Sequence, residues 1–399
     1  MDSKKKSTEA VALDPKKVFG RSPDQHILNV VKESCQEAFN LPSFNETLQT
    51  IKSHFFERNY DAVFQNPAHL PVYSARYAPS RALCYYHLFL EHPVLMKSLE
   101  GGPSTILCIG SGAGSELIGL SAAMVHATPV ASKPKKKKAT TTLSSKKDVD
   151  TAATAATTTK ESQDGGDGDQ TSKVDQAASE LEKLDLSSTN SNSNNTSADA
   201  EMTKDTKPTA DETSPAATTE TETATTKVTK AKKPKVNKQQ VTIVMQDYVD
   251  WSHILQPMET VIRSRMQLRP ERLACETEIG NVLDLSEGLV KRIEKADLIT
   301  FMFVLNELFQ DKKRTMLLLA KIVAVMPAGA HMLVVDSAGS FSNLKVGERV
   351  YMVYTLLDHL KDLEIVYQDD ATWYRCPPSV TYPLKLENMR HFIRIYKKL

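Results

Sequence analysis

Residues 105–109, Thr-Ile-Leu-Cys-Ile, form a short apolar, β-branched run that stops at three glycines in alternate positions, Gly110, Gly112 and Gly114. An apolar face at helical spacing, Leu117, Leu120 and Met124, follows at once, so the pattern predicts a strand, a tight turn and a helix start. Helical spacing dominates from 21 to 99. Ile27, Val31, Cys35 and Ala38 share a face behind Ser22-Pro23-Asp24-Gln25, which reads as an N-cap, a proline at the first helical position and a capping-box glutamine. Ser43-Phe44-Asn45-Glu46 repeats that logic ahead of Leu48, Ile51 and Phe55, and a third helix is expected to start at Pro79, with Leu83, Tyr86, His87 and Leu90 on one stripe. Further on, a short apolar run predicts a strand at 241–245, and further strands are expected at 273–279, 297–304 and 330–335, with a helix over 312–326. Residues 363–367 and 391–396 read as two strands with no helix between them, a terminal hairpin. Strands alternating with helices predict an α/β fold, a parallel sheet covered on both faces, preceded by a helical region.

Composition interrupts this picture once. From about 128 to 240 there is no aromatic residue and no cysteine, and the segment includes Lys135 to Lys138 and the run 191–195 of Ser and Asn. Such a stretch cannot bury enough apolar area to offset the entropy of ordering it, so it is expected to be a disordered insertion, with a transient helical turn or two at 172–186. The expected organisation is a disordered tail over 1–20, a helical subdomain over 21–100, a first βα unit over 101–127, the insertion over 128–240, and the rest of the core over 241–399. The 50 Lys and Arg against 49 Asp and Glu leave a net charge of +1, which by itself gives no support for a nucleic-acid partner; a local basic patch would be needed. Basic runs at 135–138 and 230–235 could serve nuclear import or RNA contact, or merely solubility. Five scattered cysteines form no C-x-x-C pair and no zinc spacing, and the histidines show no metal spacing. No signal peptide and no membrane-spanning run is evident, so a soluble intracellular protein without metal is expected.

A strand ending in a glycine turn before a helix is suited to laying a nucleoside cofactor over the sheet, with helix N–H groups available to a negative group. The dinucleotide fingerprint would need glycine at 115, where Ser115 stands. The spacing G-x-G-x-G resembles instead the first motif of class I S-adenosylmethionine-dependent methyltransferases. In such folds Asp247 stands where a carboxylate accepts the ribose hydroxyls, although it could simply form a turn with Tyr248. Asn281 stands where an amide or acid reads the adenine amino group, with Asp284 as its competitor unless that residue caps a helix near Ser286. Glu116 gains from the helix dipole and is also a candidate for the cofactor's ammonium. Beyond the fourth strand, Asn306 and Glu307 are candidates for substrate contact, and Glu307 or Asp336 could accept a proton or serve only as helix caps. No Asn-Pro-Pro-Tyr tetrad and no Pro-Cys dipeptide follows that strand, which favours direct displacement at nitrogen or oxygen over a covalent cysteine adduct. Tyr73 to Arg81 is read as a loop carrying Arg76, Tyr77 and Arg81, suited to phosphate contact and base stacking or to helix capping. Trp373-Tyr374-Arg375 offers a similar combination near the hairpin.

The string Cys108 to Glu116, the segments Tyr77-Ala78-Pro79-Ser80-Arg81 and Leu305-Asn306-Glu307-Leu308, Val335 to Ser340 and Arg390 to Arg394 together resemble the fungal class I methyltransferases that modify N3 of a uridine in large-subunit ribosomal RNA. The resemblance implies a Rossmann-like sheet and S-adenosylmethionine as cofactor, held by Gly110, Ser111, Gly112, Gly114, Glu116, Asp247 and Asn281. It implies catalysis by Glu307, Asn306 and Asp336, and contact of Arg76, Tyr77 and Arg81 with RNA. The implied partner is ribosomal RNA or a pre-ribosomal particle, in the cytoplasm or alternatively the nucleus or nucleolus; no oligomeric state is implied. One departure stands out: two positions before Gly110, where many class I enzymes carry an acid for the ammonium, this chain has Cys108, which leaves that contact to a residue such as Glu116. A protein or small-molecule methyltransferase and a non-catalytic cofactor-binding scaffold remain alternatives.

Overall fold

Every segment expected above to be a strand contributes to one sheet. The strands are β1 (Ser104–Ile109), β2 (Val241–Asp247), β3 (Leu273–Ile279), β4 (Leu298–Met302) and β5 (His331–Ser337). Then come a separate hairpin of β6 (Asn343–Val346) and β7 (Arg349–Met352), and the long closing strands β8 (Leu363–Tyr374) and β9 (Met389–Lys398). The computed structural model describes residues 12–100, 102–127, 240–339, 343–346 and 349–399. The expected insertion, apart from Gln240, and the transient helix at 172–186 lie outside the described residues.

The seven-stranded sheet runs β3-β2-β1-β4-β5-β9-β8. β1 pairs in parallel with both β2 and β4, Ile106 lying opposite Ile243 on one side and Leu298 on the other. β9 is antiparallel to β5 and to β8. The strand order reverses at β1, and a crevice outside the carboxyl ends of the strands forms at such a reversal. β4 is buried throughout, as a central parallel strand should be. Arg394, 2% exposed on β9, stays charged because it pairs with Asp358 at 3.0 Å and Asp370 at 2.6 Å and lies 4.1 Å from the Tyr354 ring centre.

Among the described residues, seven helices precede the sheet: α1 (Pro15–Phe19), α2 (Pro23–Ser34), α3 (Gln36–Phe39), α4 (Phe44–Phe56), α5 (Tyr60–Phe64), α6 (His69–Glu91) and α7 (Pro93–Leu99). The helices of the sheet region are α8 (Ser115–Met124), α9 (Ser252–Arg265), α10 (Glu287–Ile293), α11 (Leu305–Leu308), α12 (Lys312–Val325) and α13 (Val353–Leu357). α1 corrects the expectation of a tail through residue 20, because Asp14 caps it, Pro15 opens it, and Val18 and Phe19 are buried. Ser22 caps α2 through the Gln25 N–H, but the Gln25 side chain does not close a capping box; it bonds the Thr381 backbone at both ends. Ser43 makes no side-chain cap bond at all.

The largest correction concerns α6. Residues 73–81 are not a loop, and no helix starts at Pro79: one 23-residue helix runs straight through it. Proline lacks the N–H that would bond the carbonyl four residues back. The Tyr382 hydroxyl takes over and donates to the Ala75 oxygen at 2.8 Å. α6 then packs along α8 so closely that a Cβ on Gly119 would meet the Ala82 carbonyl at 2.8 Å. α8 is buried on all sides between α6 and the sheet, which carries Glu116 into the interior.

Candidate functional site

The turn after β1 is built around its glycines. Gly110 and Gly114 have φ of 65° and 82°, where a side chain is strained. The space left by each missing side chain is filled by the protein itself: a Cβ would collide with Val304 at Gly110, with the Trp251 indole at Gly112 and with Met258 at Gly114. The Gly112 N–H donates to Asp247 at 3.0 Å, and Ser111 turns inward to donate to the Cys108 carbonyl at 2.9 Å. From behind, the Ser74 hydroxyl of α6 donates to the Ala113 carbonyl at 2.8 Å. One side of the turn, at Gly110 and Ala113, is left uncovered.

That side opens onto a cavity of about 250 Å³ at the carboxyl ends of β1, β2 and β4. Asp247 enters it at the end of β2, held by the N–H groups of Gly112 and Val249. Asn281 borders it after β3 and also caps the short turn Val282–Asp284 through the Leu283 N–H. Asp284 does not reach it and pairs with Arg314 instead, while Ser286 caps α10. Glu116 lies in the cavity floor and Glu307 in its wall. Asn306 and Asp336 stand behind that wall. The Asp336 carboxylate accepts from the backbone N–H of Asn306 at 3.1 Å, from its side-chain amide at 2.5 Å and from the Ser337 N–H at 2.7 Å. The pair clamps the start of α11, the short helix that carries Glu307.

Of the α6 residues expected to touch RNA, only Arg81 reaches the cavity. Arg76 is 7% exposed, and its guanidinium is committed to Glu387 and to the Lys385 carbonyl. It fastens α6 to the segment before β9, and its expected contact with RNA is withdrawn on that ground. Tyr77 packs behind Tyr73, ring centres 4.8 Å apart. Arg81 donates to the Tyr73 hydroxyl at 2.9 Å and lies 5.2 Å from the centre of the Phe303 ring. Sequence reasoning missed the aromatic walls, among them Tyr60, Phe64, Trp251 and Phe303. Phe303 holds φ at 59°, costly for a bulky residue, and its N–H is fixed to the Val335 carbonyl at 2.7 Å. Only Trp251, four residues beyond the candidate ribose acid, offered any signal.

Charge in the cavity is one-sided. Among the described lining residues, Arg81 is the cation beside the carboxylates of Glu116, Asp247 and Glu307, with Asp61 and Asp311 toward the rim. Burial pushes Glu116 and Glu307 up to about 8; the nearby Arg81 only partly counters this, and the Asp247 carboxylate adds to it. Burial raises Asp247 too, against the pull of the N–H groups it accepts. Asp336 is raised to about 6 by burial, with the N–H groups of Ser337 and Asn306 opposing. Cys108 is fully buried beside Glu116 and Thr300. An acid at 108 would crowd a second carboxylate against Glu116, so the departure at 108 and the acid at 116 make sense together.

These residues fit S-adenosylmethionine, whose sulfonium and ammonium outweigh its carboxylate: a cavity rich in acids suits a ligand of net positive charge. Asp247, Glu116 and the backbone at Gly110 and Ala113 all border this one cavity. Among the described residues no group of three or more His, Cys, Asp or Glu is arranged to hold a metal ion, and no helix is long and apolar enough to cross a membrane.

Comparison with known proteins agrees with this geometry. Over residues 31–218 and 213–397 the chain matches the model of a family described as "Putative SAM-dependent methyltransferase". It is 25% identical over 426 aligned residues to a 25S rRNA (uridine(2843)-N(3))-methyltransferase of Saccharomyces cerevisiae, covering 97% of this chain and 91% of that one. Among solved structures, an SAM-dependent methyltransferase of Methanosarcina mazei is similar over 40% of this chain and 82% of its own, with 14% identity and a TM-score of 0.26. The N-methyltransferase NodS of Bradyrhizobium japonicum bound to S-adenosyl-L-homocysteine aligns over 40% and 66%, with 10% identity and a TM-score of 0.22. The glycine turn, the acid closing β2 and the family match along most of the chain meet in one reading: this chain belongs to the SAM-dependent methyltransferases, with a class I Rossmann-like sheet.

Proposed function

We propose that the protein methylates N3 of a uridine in large-subunit ribosomal RNA. The observation that carries the reading is Glu307, a carboxyl in the cavity wall whose affinity for protons is raised to about 8, next to where a methyl acceptor would enter. S-adenosylmethionine, when bound, supplies an electrophilic methyl group. Uracil N3 bears a weakly acidic proton, and a base of matched strength removes it best. Glu307 accepts that proton, and the N3 electron pair so freed is the nucleophile. A positive charge brought into the cavity favours the ionised form of Glu307, so the base is readied by loading. Asp336 and Asn306 hold α11 so that this carboxyl stays in the wall. The Saccharomyces relative's named reaction supports the choice of acceptor. Action on ribosomal RNA or its precursor particle would place the protein in the cytoplasm or nucleolus.

The rim acids Asp61 and Asp311 favour a second reading, a cationic protein or small-molecule substrate, because they repel a polyanion. Expression of this chain in Saccharomyces cells lacking the relative, followed by mapping of 25S rRNA, separates the two. The first reading expects one 3-methyluridine to return with the wild-type chain and to stay absent with Glu307→Gln. A map unchanged by abundant wild-type protein, with methyl label appearing on protein or small molecules, would sustain the second.

A further inference from the structure

We infer that Arg81 is the residue that reads the carboxylate of the cofactor's amino-acid end, and that with Glu116 it selects a zwitterion there rather than touching RNA. The inference rests on the cofactor reading above and deepens it.

Arg81 comes from α6, yet its guanidinium lies in the cavity beside the floor that holds Glu116. Its hydrogen bond among the described residues runs to the neutral Tyr73 hydroxyl, at 2.9 Å. A guanidinium carries five N–H donors in a planar fork that matches a carboxylate through two parallel bonds. Aromatic rings surround the fork: Phe303 lies 5.2 Å from its carbon, and Tyr73 and Tyr77 each 5.9 Å. The left-handed turn at Phe303, fixed by its bond to Val335, sets that ring in place. Burial opposes the charge on Arg81, but a guanidinium does not lose its proton in a protein, and the carboxylates of Glu307 and Glu116 favour the cation when they are ionised. Glu116 and Glu307 act on it through space rather than as ion-pair contacts, which leaves donors of the fork facing the cavity.

A phosphodiester is the competing ligand for such a fork. To reach Arg81 it would have to pass Asp61 and Asp311 at the rim and then lie beside Glu307 and Glu116. A single carboxylate attached to an ammonium meets no such barrier, because the acid that repels one end attracts the other. The placement of one cation and one acid in the same floor is what an α-amino acid group requires.

The test uses the full chain and isothermal titration with two probes, S-adenosylmethionine and its decarboxylated form, which keeps the sulfonium and an amine but lacks the carboxylate. The wild type is expected to prefer the intact compound by about 10- to 100-fold, the range for charge-assisted hydrogen bonds. Arg81→Met should abolish that preference while binding the decarboxylated form at least as well as the wild type does. Arg81→Lys, which keeps a point charge without the fork, should retain part of it, and it serves as the measurement if thermal melting shows that Arg81→Met does not fold. Glu116→Gln should weaken both probes alike and leave the preference intact. A preference unchanged in both Arg81 variants, or one lost equally in Glu116→Gln, overturns the assignment. So does a fall in ribosomal RNA affinity in Arg81→Lys with the preference untouched. Absence of binding of either probe to the wild type would instead strike the cofactor reading itself.

Discussion

Gly112 shows how a residue can be legible in a sequence while its reason is not. The alternating glycines announce a tight turn before a helix, and the expectation was that a ligand needs the bare backbone there. In the structure the Trp251 indole occupies that space and the Gly112 N–H belongs to Asp247, so the glycine serves packing at the heart of the turn. Gly112→Ala is therefore expected to cost about 1–3 kcal/mol of stability by overpacking, read as a lower melting temperature, and Trp251→Phe should recover part of the loss in the double variant. A substitution at 112 is for the same reason a poor probe of catalysis. Titration offers a second residue-scale expectation. Glu116 and Glu307 bind protons more tightly in the folded chain, up to about 8, than in the unfolded one. Their contribution is fully present below the ordinary carboxylate range and is lost as pH rises through 8, so the ligand-free protein should melt at lower temperature at pH 9 than at pH 6. Glu307→Gln should flatten that decline. S-adenosylmethionine should bind more tightly over the same rise in pH, because its positive charge prefers the ionised acids, whereas the uncharged sulfur of S-adenosylhomocysteine should show a weaker trend.

At the scale of elements, strands were easier to place than the helices that precede them. β4 and β5 differ from expectation only at their ends, because buried strands leave continuous apolar runs, and β3 occupies the residues expected of it although it is a part-exposed edge strand. The closing strands are longer than their apolar cores, since β8 is an edge strand whose residues are mostly exposed and carry little pattern. Local rules failed at α6. A proline is a sound local signal for a helix boundary, but here Tyr382, far along the chain, supplies the missing hydrogen bond. Tyr382→Phe leaves the Ala75 carbonyl without that donor and is expected to destabilise the protein by about 1 kcal/mol, measurable by chemical denaturation. Faster amide exchange around Pro79 should accompany it, and unchanged exchange there would show that the helix holds its proline by other means. A loop over this stretch would bring its arginines to one surface. On a helix Arg76 and Arg81 point to different surroundings, one to Glu387 and one to the cavity.

Across the whole molecule, the sheet closes over a very long interval of sequence: Ser104 of β1 pairs with Val241 of β2 although more than a hundred residues separate them. Strand order and pairing restore the spacing between the glycine turn and Asp247 that the sequence alone had broken. The near-neutral net charge concealed a strongly uneven distribution, with acids collected in the cleft. That unevenness suits the cofactor and bears on the proposed substrate, because an RNA would have to present one uncharged base to the cleft while its phosphates remain outside. The proposed role of Glu307 is to take the proton from uridine N3 as the methyl group is transferred. Its most direct test is incubation of the purified chain with large-subunit ribosomal RNA and methyl-labelled S-adenosylmethionine, followed by digestion to nucleosides and mass spectrometry. The label should appear in 3-methyluridine, and Glu307→Gln should bind the cofactor yet form that product at least about 100-fold more slowly. Label found in another nucleoside, or 3-methyluridine formed as fast by Glu307→Gln as by the wild type, would contradict it.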